Sequence, residues 1–498
     1  MRFGFDNPLP DSVDADAVVV GAGPGGAAVS RILTGGGLRV VMLEEGPPRS
    51  RFRPSFAHTA KYHMQEGASM LVQGSVPFPV MAGRGVGGGS LVNSAICFRT
   101  PENVLESWAE SLDDDRYLAQ NLAPIYDEIE ARIGVAPVSE ATAGENNMVI
   151  ARGAQKLGLE GGLVRRNAPG CIGCGICNYG CPVGGKGSVD QNLILDAEDA
   201  GLRLQADCRA EALLVDGRRA VGVVGRLHHP DTKAPGAVVR VRAKLVVLAA
   251  GAIGTPRLLW QDGIARDLGP VGEQLLLHPG SGILGVCDHE VHMWKGVTQG
   301  AYVWDPQLPE ALPHTITAPP EALVIQSGRV GLEAKQVMRE VNHLCGLGMM
   351  VSDRGVGSVR ASRSGRAKLR YEWVPEDVDV LKQGLVLSAR VLLAGGAREV
   401  FVTAFGAGRH RSAEGVAAEL DDLPLHAFQL YSAHPMSTCP MGLDPETSVL
   451  NPAGRAHRMD GLYIADAGVF PSSLGVNPQL TTMALATLIG RGILQERG

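Results

Sequence analysis

The chain has 498 residues, 45% of them hydrophobic, which excludes intrinsic disorder and provides for a large core and more than one domain. The formal net charge of −6 lacks the basic excess that nucleic-acid binding needs. Glycine is abundant, with 65 residues, which suits tight turns around a large ligand and equally suits a glycine-rich genome.

The first residues, Met1 to Pro8, contain no apolar signal core and no twin-arginine run. The most apolar run, Leu245 to Gly254, is too short to span a bilayer. These features predict a soluble, cytoplasmic protein whose nine cysteines form no disulfide framework.

Val18 to Val20 is a short apolar run bounded by glycine, as in a buried parallel strand. Gly21-Ala22-Gly23-Pro24-Gly25-Gly26 follows, then a helix-compatible stretch from Ala27 to Leu33 and a second strand from Leu38 to Leu43. The spacing of Gly21, Gly23 and Gly26 fits a dinucleotide fingerprint. The first glycine makes the turn, the second admits a pyrophosphate, and the third packs helix on strand. Glu44, at the end of the second strand, stands where a carboxylate accepts from ribose hydroxyls, and its neighbour Glu45 competes for that role. This unit alone does not separate FAD from NAD. The second glycine-rich run, Gly83 to Asn93, offers backbone donors, with Gly88 and Asn93 placed to reach another part of a long cofactor.

Residues 100–160 carry helical patterning. Residues 171–190 hold a cysteine run, and 202–250 read as short strands. Residues 285–375 read as short strands and loops. A helix is predicted over Leu381 to Leu393, a strand over 462–466 and a last helix from Leu480 to Ile493. No internal repeat or long linker is present.

Cys171, Cys174, Cys177 and Cys181, the last followed by Pro182, have the spacing of a bacterial ferredoxin run. An iron–sulfur centre is one expectation; a four-thiolate zinc site, free thiols and disulfides are the alternatives. An iron–sulfur centre would carry electrons to an acceptor protein.

Four segments together resemble the glucose-methanol-choline (GMC) family of flavin oxidoreductases. They are the Gly21 fingerprint with Glu44, the run Gly83 to Asn93, Gly251 to Leu259, and the region His434 to Met483. Gly461 to Ala467, with Asp466, resembles the family's C-terminal flavin-contacting strand, and Gly475-Val476-Asn477-Pro478 is similar to the sterol oxidase branch. Ser437, Ser94 and Asp262 depart from the usual pattern, which leaves the substrate branch open. The resemblance implies an α/β fold: a Rossmann-like FAD-binding domain with a discontinuous substrate-binding domain built on a β-sheet. The expected division is 13–100, 187–280 and 434–498 for FAD, 101–186 for a helical and Cys-rich segment, and 281–433 for substrate.

It also implies FAD as cofactor and a small alcohol as substrate: a sterol, a long-chain alcohol, a sugar or an amino sugar. Alcohol oxidation removes a proton from oxygen and a hydride from carbon. His434 is the candidate base, and Asn477 the group that holds the substrate oxygen. Gly21, Gly23, Gly26, Glu44, Gly88, Asn93, Asp466 and Pro478 are the candidate cofactor contacts. His278 is read as structural, and His292 and His343 have no motif around them. A relay of flavin and iron–sulfur centre without alcohol chemistry is the rival reading.

Overall fold

The computed structural model describes residues 1–48, 53 and 55–497. Its first body is an eight-stranded sheet. The strands Arg2–Phe3, Arg203–Gln205, Val40–Leu43, Ser12–Val20, Pro235–Leu248, Arg219–His228 and Cys208–Asp216 lie in that order, and Leu462–Ile464 also pairs with Pro235–Leu248. The apolar run at the end of Ser12–Val20 lies between two parallel partners, Val18 opposite Val41 and Val246. Both of its faces are therefore covered, which is why it reads as continuously apolar and not alternating. Helices Pro24–Gly35 and Gln479–Gln495 meet beside it, Gly490 against Val29 and Ile32.

The second body is a six-stranded sheet in the order Ala397–Val402, Gly280–Cys287, Leu344–Val351, Ala311–Thr315, Ala301–Trp304, Glu160–Leu163. Its pairings are antiparallel, and its core is a second cluster of buried residues centred on Ile283, Leu347, Val400 and Leu392. One edge strand, Glu160–Leu163, comes from the segment expected to be helical and Cys-rich. A four-stranded sheet ties Leu71–Gly74 and Phe78–Pro79 to Gly357–Ala361 and Ala367–Tyr371.

The fold is thus α/β, with a Rossmann-like sheet and a separate antiparallel sheet, as expected. Three helices differ from the sequence reading, and the strands expected to be short over 202–250 include ones of nine, ten and fourteen residues. The helix predicted over Leu381 to Leu393 runs Pro375–Gly395. Pro375 presets the first helical φ, Glu376 and Asp377 occupy the positive end, and Gly396 ends it in the left-handed region at φ 117. The region taken as strands and loops contains helices Pro320–Gln326 and Gly331–Arg339, too short to show a clear helical period. Among the described residues no helix is long and apolar enough to cross a membrane.

Candidate active site

A cavity of about 1030 Å³ opens between the two bodies and is lined by every predicted cofactor and catalytic residue except Gly26. At one end lies the glycine turn. Gly21 has φ 103, and a Cβ there would lie 2.3 Å from the Ala249 carbonyl oxygen. A Cβ on Gly26 would lie 1.9 Å from the Gly21 carbonyl oxygen, so only glycine lets the helix close on the turn. Helix Pro24–Gly35 begins at Gly23 with no side-chain cap, leaving its first N–H groups free for an anion. Gly88 packs against Gly23 and brings the second glycine-rich run across the turn.

Glu44 is a hub. Its carboxylate accepts from the backbone N–H of Ala22 (2.8 Å), Gly46 (2.8 Å) and Gly85 (3.0 Å). Burial pushes its pKa up to about 7 in spite of these donors. Three of about four lone-pair positions are used, so one remains for a ribose hydroxyl. Glu45 takes another role: it pairs with Arg257 (3.2 Å), Arg84 (3.6 Å) and Arg209 (4.0 Å). Burial raises its pKa, but the three guanidiniums outweigh that and hold it at about 2.

Asp466 ties its own loop to the start of helix Gly251–Asp262, accepting from Gly251 N–H (2.9 Å), the Thr255 hydroxyl (2.6 Å) and Gly468 N–H (2.8 Å). Asn93 donates to Gln479 (2.6 Å) and accepts from Ala95 N–H (3.1 Å), which fixes the loop that lines the cavity. Pro478 is the residue from which helix Gln479–Gln495 starts.

At the other end His434 and Asn477 meet. The Asn477 Nδ2 is 3.2 Å from His434 Nε2, and as placed the amide donates to the ring. The Asn477 Oδ1 is buried and has no partner among the described residues. Burial, and secondarily His314, lower the His434 pKa to about 3, so the ring is neutral.

The sequence reading missed the supports of this pair. His278, expected to be structural, supports the pair and lines the cavity: its ring centroid is 5.5 Å from that of His434, edge to face. Its Nε2 accepts from Gly475 N–H at 3.0 Å, two residues before Asn477. Its backbone sits at φ 48, uncommon for a non-glycine residue. Asp353 holds it there, accepting from the N–H groups of Leu277 (2.7 Å) and His278 (3.2 Å), and also from Tyr371 (3.1 Å) and Ser473 (3.0 Å). A buried carboxylate thus links the loop of His278 to the loop of Asn477. No local pattern signals it, since the donors stand up to 120 positions away. His292 and His343 do not line the cavity.

The cysteine run forms part of the wall, with Gly175, Ile176, Asn178 and Tyr179 lining the cavity. Cys177 Sγ lies 3.2 Å from Arg166 Nη2, and Cys171 Sγ lies 3.9 Å from Nη1. Lys186, buried, donates to the carbonyls of Leu91, Asn93 and Cys177. Burial pushes the Cys177 thiol up, but Arg166 and Lys186 outweigh it and hold the pKa below its ordinary value. Among the described residues, no group of three or more His, Cys, Asp or Glu side chains could hold a metal ion. The expected iron–sulfur centre on Cys171, Cys174, Cys177 and Cys181 therefore finds no support. The spacing is present, but two of the sulfurs face a guanidinium.

The pieces fit FAD: a glycine turn for the pyrophosphate, a carboxylate for the ribose, and an orphaned amide oxygen beside an imidazole at the far end. The chain matches the family model for GMC oxidoreductase over residues 26–280 and again over 353–486. A GMC-type oxidoreductase of Mycobacterium tuberculosis is 36% identical over 492 residues, covering 96% of this chain and 76% of that protein. A long-chain-alcohol oxidase of Arabidopsis thaliana is 29% identical over 523 residues, 97% of this chain and 67% of that one. Among solved structures, pyridoxine 4-oxidase from Mesorbium loti superposes with a TM-score of 0.74 at 17% identity, covering 96% of this chain and 98% of that one. Formate oxidase superposes at 0.72 and 14%, covering 98% and 99%; at such identities the likeness is one of fold alone. With both family models matched in order and the glycine turn, the buried carboxylates and the His434–Asn477 pair disposed around one cavity, the chain belongs to the GMC oxidoreductase family.

Proposed function

We propose that this protein uses FAD to oxidise the CH–OH group of a neutral, largely apolar alcohol, with long-chain alcohols as the first candidates. The observation that carries the reading is the 3.2 Å contact of His434 with Asn477 in the cavity. The bound flavin supplies the acceptor for the hydrogen and electrons leaving carbon. His434 accepts the hydroxyl proton. Its low pKa reflects burial, and negative charge developing on the substrate oxygen opposes that effect. Asn477 turns its amide N–H from the ring to the substrate oxygen and holds it in line. His278 and Asp353 keep the Asn477 loop in place, so that orientation is set before substrate arrives.

Apolar residues, Ile316, Ala318, Pro319, Ile325 and Met350 among them, wall the antiparallel-sheet side of the cavity. They suit an alkyl chain, and the likeness to the long-chain-alcohol oxidase supports the same class. The test is anaerobic reduction of the flavin by a panel of primary alcohols, sterols, sugars and amino sugars. Long-chain alcohols are expected to bleach the flavin, and His434→Ala to slow bleaching by about 10²–10⁴-fold, the usual contribution of a positioned base. Bleaching that His434→Ala leaves unchanged would remove the base assignment.

A further inference from the structure

The cavity holds a second pair of polar atoms that the chemistry at His434 leaves idle. His314 lies in strand Ala311–Thr315, is 4% exposed and lines the cavity. Its Nδ1 is 3.3 Å from the Leu312 carbonyl oxygen. A carbonyl only accepts, so Nδ1 carries the hydrogen and Nε2 the lone pair. Nε2 has no hydrogen-bond partner among the described residues. Tyr431 also lines the cavity, and its Oη is buried without a partner. Its hydroxyl is an unused donor.

The two groups are neighbours by register. His314 stands opposite Gly348 in the antiparallel pair, and directly opposed residues point to the same face with Cβ atoms about 4.5–5.5 Å apart. A Cβ on Gly348 would lie 2.5 Å from Tyr431 Oη. The phenol therefore occupies the place a side chain at 348 would take, on the face of the sheet that carries the His314 ring. Around them the lining is apolar: Ile316 lies against the same glycine, and Met350 follows on the strand. The charged lining groups stand at the nucleotide end, apart from Glu321 in helix Pro320–Gln326.

An orphaned O–H donor beside an orphaned nitrogen acceptor is the complement of a hydroxyl group, which accepts one hydrogen bond and donates another. A ketone or ether would leave His314 unmatched, and an ammonium group would set a cation against the Tyr431 donor. We propose that His314 and Tyr431 form a specificity subsite for a second hydroxyl, making a neutral long-chain diol a better substrate than the corresponding mono-alcohol. This rests on the alcohol-oxidising reading above. Neither residue is assigned a part in the bond-breaking step.

The test uses flavin-loaded enzyme as wild type, His314→Leu and Tyr431→Phe. Anaerobic flavin reduction is followed with 1-decanol and with decane-1,2-, 1,3- and 1,4-diol. Calorimetric binding of the same compounds to His434→Ala, with and without His314→Leu, provides a readout independent of turnover. In wild type, one diol is expected to exceed 1-decanol at least tenfold in kcat/KM, mainly through KM. Both variants should bring that diol down to the level of 1-decanol; Tyr431→Phe should also leave 1-decanol itself nearly unchanged, whereas for His314→Leu, whose ring neighbours His434, the readout is the ratio of diol to 1-decanol. If no diol is preferred, or if the variants weaken 1-decanol and diol alike, the subsite is refuted. If no compound reduces the flavin in wild type but His314→Leu still weakens diol binding, the subsite stands and the alcohol-oxidising reading falls.

Discussion

Asp353→Asn tests the hub beneath the site, because two effects of opposite sign meet in it. The carboxylate takes four donors, from Leu277, His278, Tyr371 and Ser473. Asparagine keeps one acceptor oxygen and turns an NH₂ toward the remaining donors. Two buried donors left unpaired cost about 1–3 kcal/mol each. Against this, burial raises the Asp353 pKa from 3.8 to about 6, and at about 1.36 kcal/mol per unit the neutral amide recovers about 3 kcal/mol at pH 8. The net change at pH 8 therefore lies between about −1 and +3 kcal/mol. The change with pH is better defined. The folded-state pKa is raised, so the native state binds more protons than the unfolded state around pH 5. Wild type gains about 1.4 kcal/mol from this group as pH falls from 8 to 5 and loses it again as pH rises through 6, whereas asparagine gains nothing. Asp353→Asn should therefore lose that amount of stability relative to wild type between pH 8 and pH 5. With an unfolding entropy of about 2.1 cal/mol/K per residue over 498 residues, the difference in melting temperature between the two proteins should change by roughly 1.4 °C. Thermal unfolding of holoenzyme at pH 8 and pH 5, followed by flavin emission, measures it. A relative stability that is the same at both pH values, or that shifts in favour of asparagine in acid, would refute the reasoning. Because His278 and the Asn477 loop both hang on this carboxylate, alcohol-driven flavin reduction should also slow by about tenfold, equivalent to 1.4 kcal/mol, with flavin content retained.

Gly26→Ala places a methyl group 1.9 Å from the Gly21 carbonyl oxygen, so the protein is expected to purify without flavin colour; full flavin absorbance would show that the turn tolerates the shift. Asn477→Ala should keep its flavin and lose about 10²–10³-fold in the rate of flavin reduction by alcohol, the penalty for removing one positioned donor. An unchanged stopped-flow rate would remove Asn477 from the reaction. Burial and the neighbouring His314 hold His434 at about 3, so the ring stays unprotonated down to mildly acidic pH. The reductive rate should then show no base limb between pH 8 and about 5.5. A decline with an apparent pKa of 6 to 7 would mean that this imidazole titrates normally.

What was legible in the sequence is what the backbone decides locally. The strand, the glycine turn and the helix follow one another within Ser12–Val20 and Pro24–Gly35, and Gly26 answers a demand from the Gly21 carbonyl five residues before it, although Gly21 itself meets the distant Ala249. Glu44 was placed correctly at the end of its strand, but one of its three donors, Gly85, arrives from 41 residues away. His434 and Asn477 were legible because motifs surround both. Their supports were not: Asp353 gathers donors across as many as 120 positions, and Tyr431 needs a missing side chain on another strand. The cysteines mark the same boundary. Spacing brings four thiols into one loop but does not show what else enters it, and here Arg166 meets two of the sulfurs.

The placing of the buried carboxylates bears on how the proposed base would work. A carboxylate against the ring would orient His434 and also hold a proton on it, since an adjacent negative charge raises an imidazole pKa. Here the two fully buried aspartates near the site point elsewhere. Asp353 is engaged by the backbone of Leu277 and His278 and by two hydroxyls, and Asp466 by Gly251, Thr255 and Gly468. Both hold loops in place and leave the rings alone. The neighbours of His434 are instead an amide and two further imidazoles, and charging any one ring disfavours charging the next. His434 is therefore contacted by a neutral group and held unprotonated by its surroundings, which is what the proposed role as base requires. Asn477→Asp would reverse that arrangement. It should raise the His434 pKa, bring a base limb into the pH profile near neutrality, and slow the reaction most at the acid end. A profile that stays flat with aspartate at 477 would show that the neutrality of the pair is not what keeps the base ready.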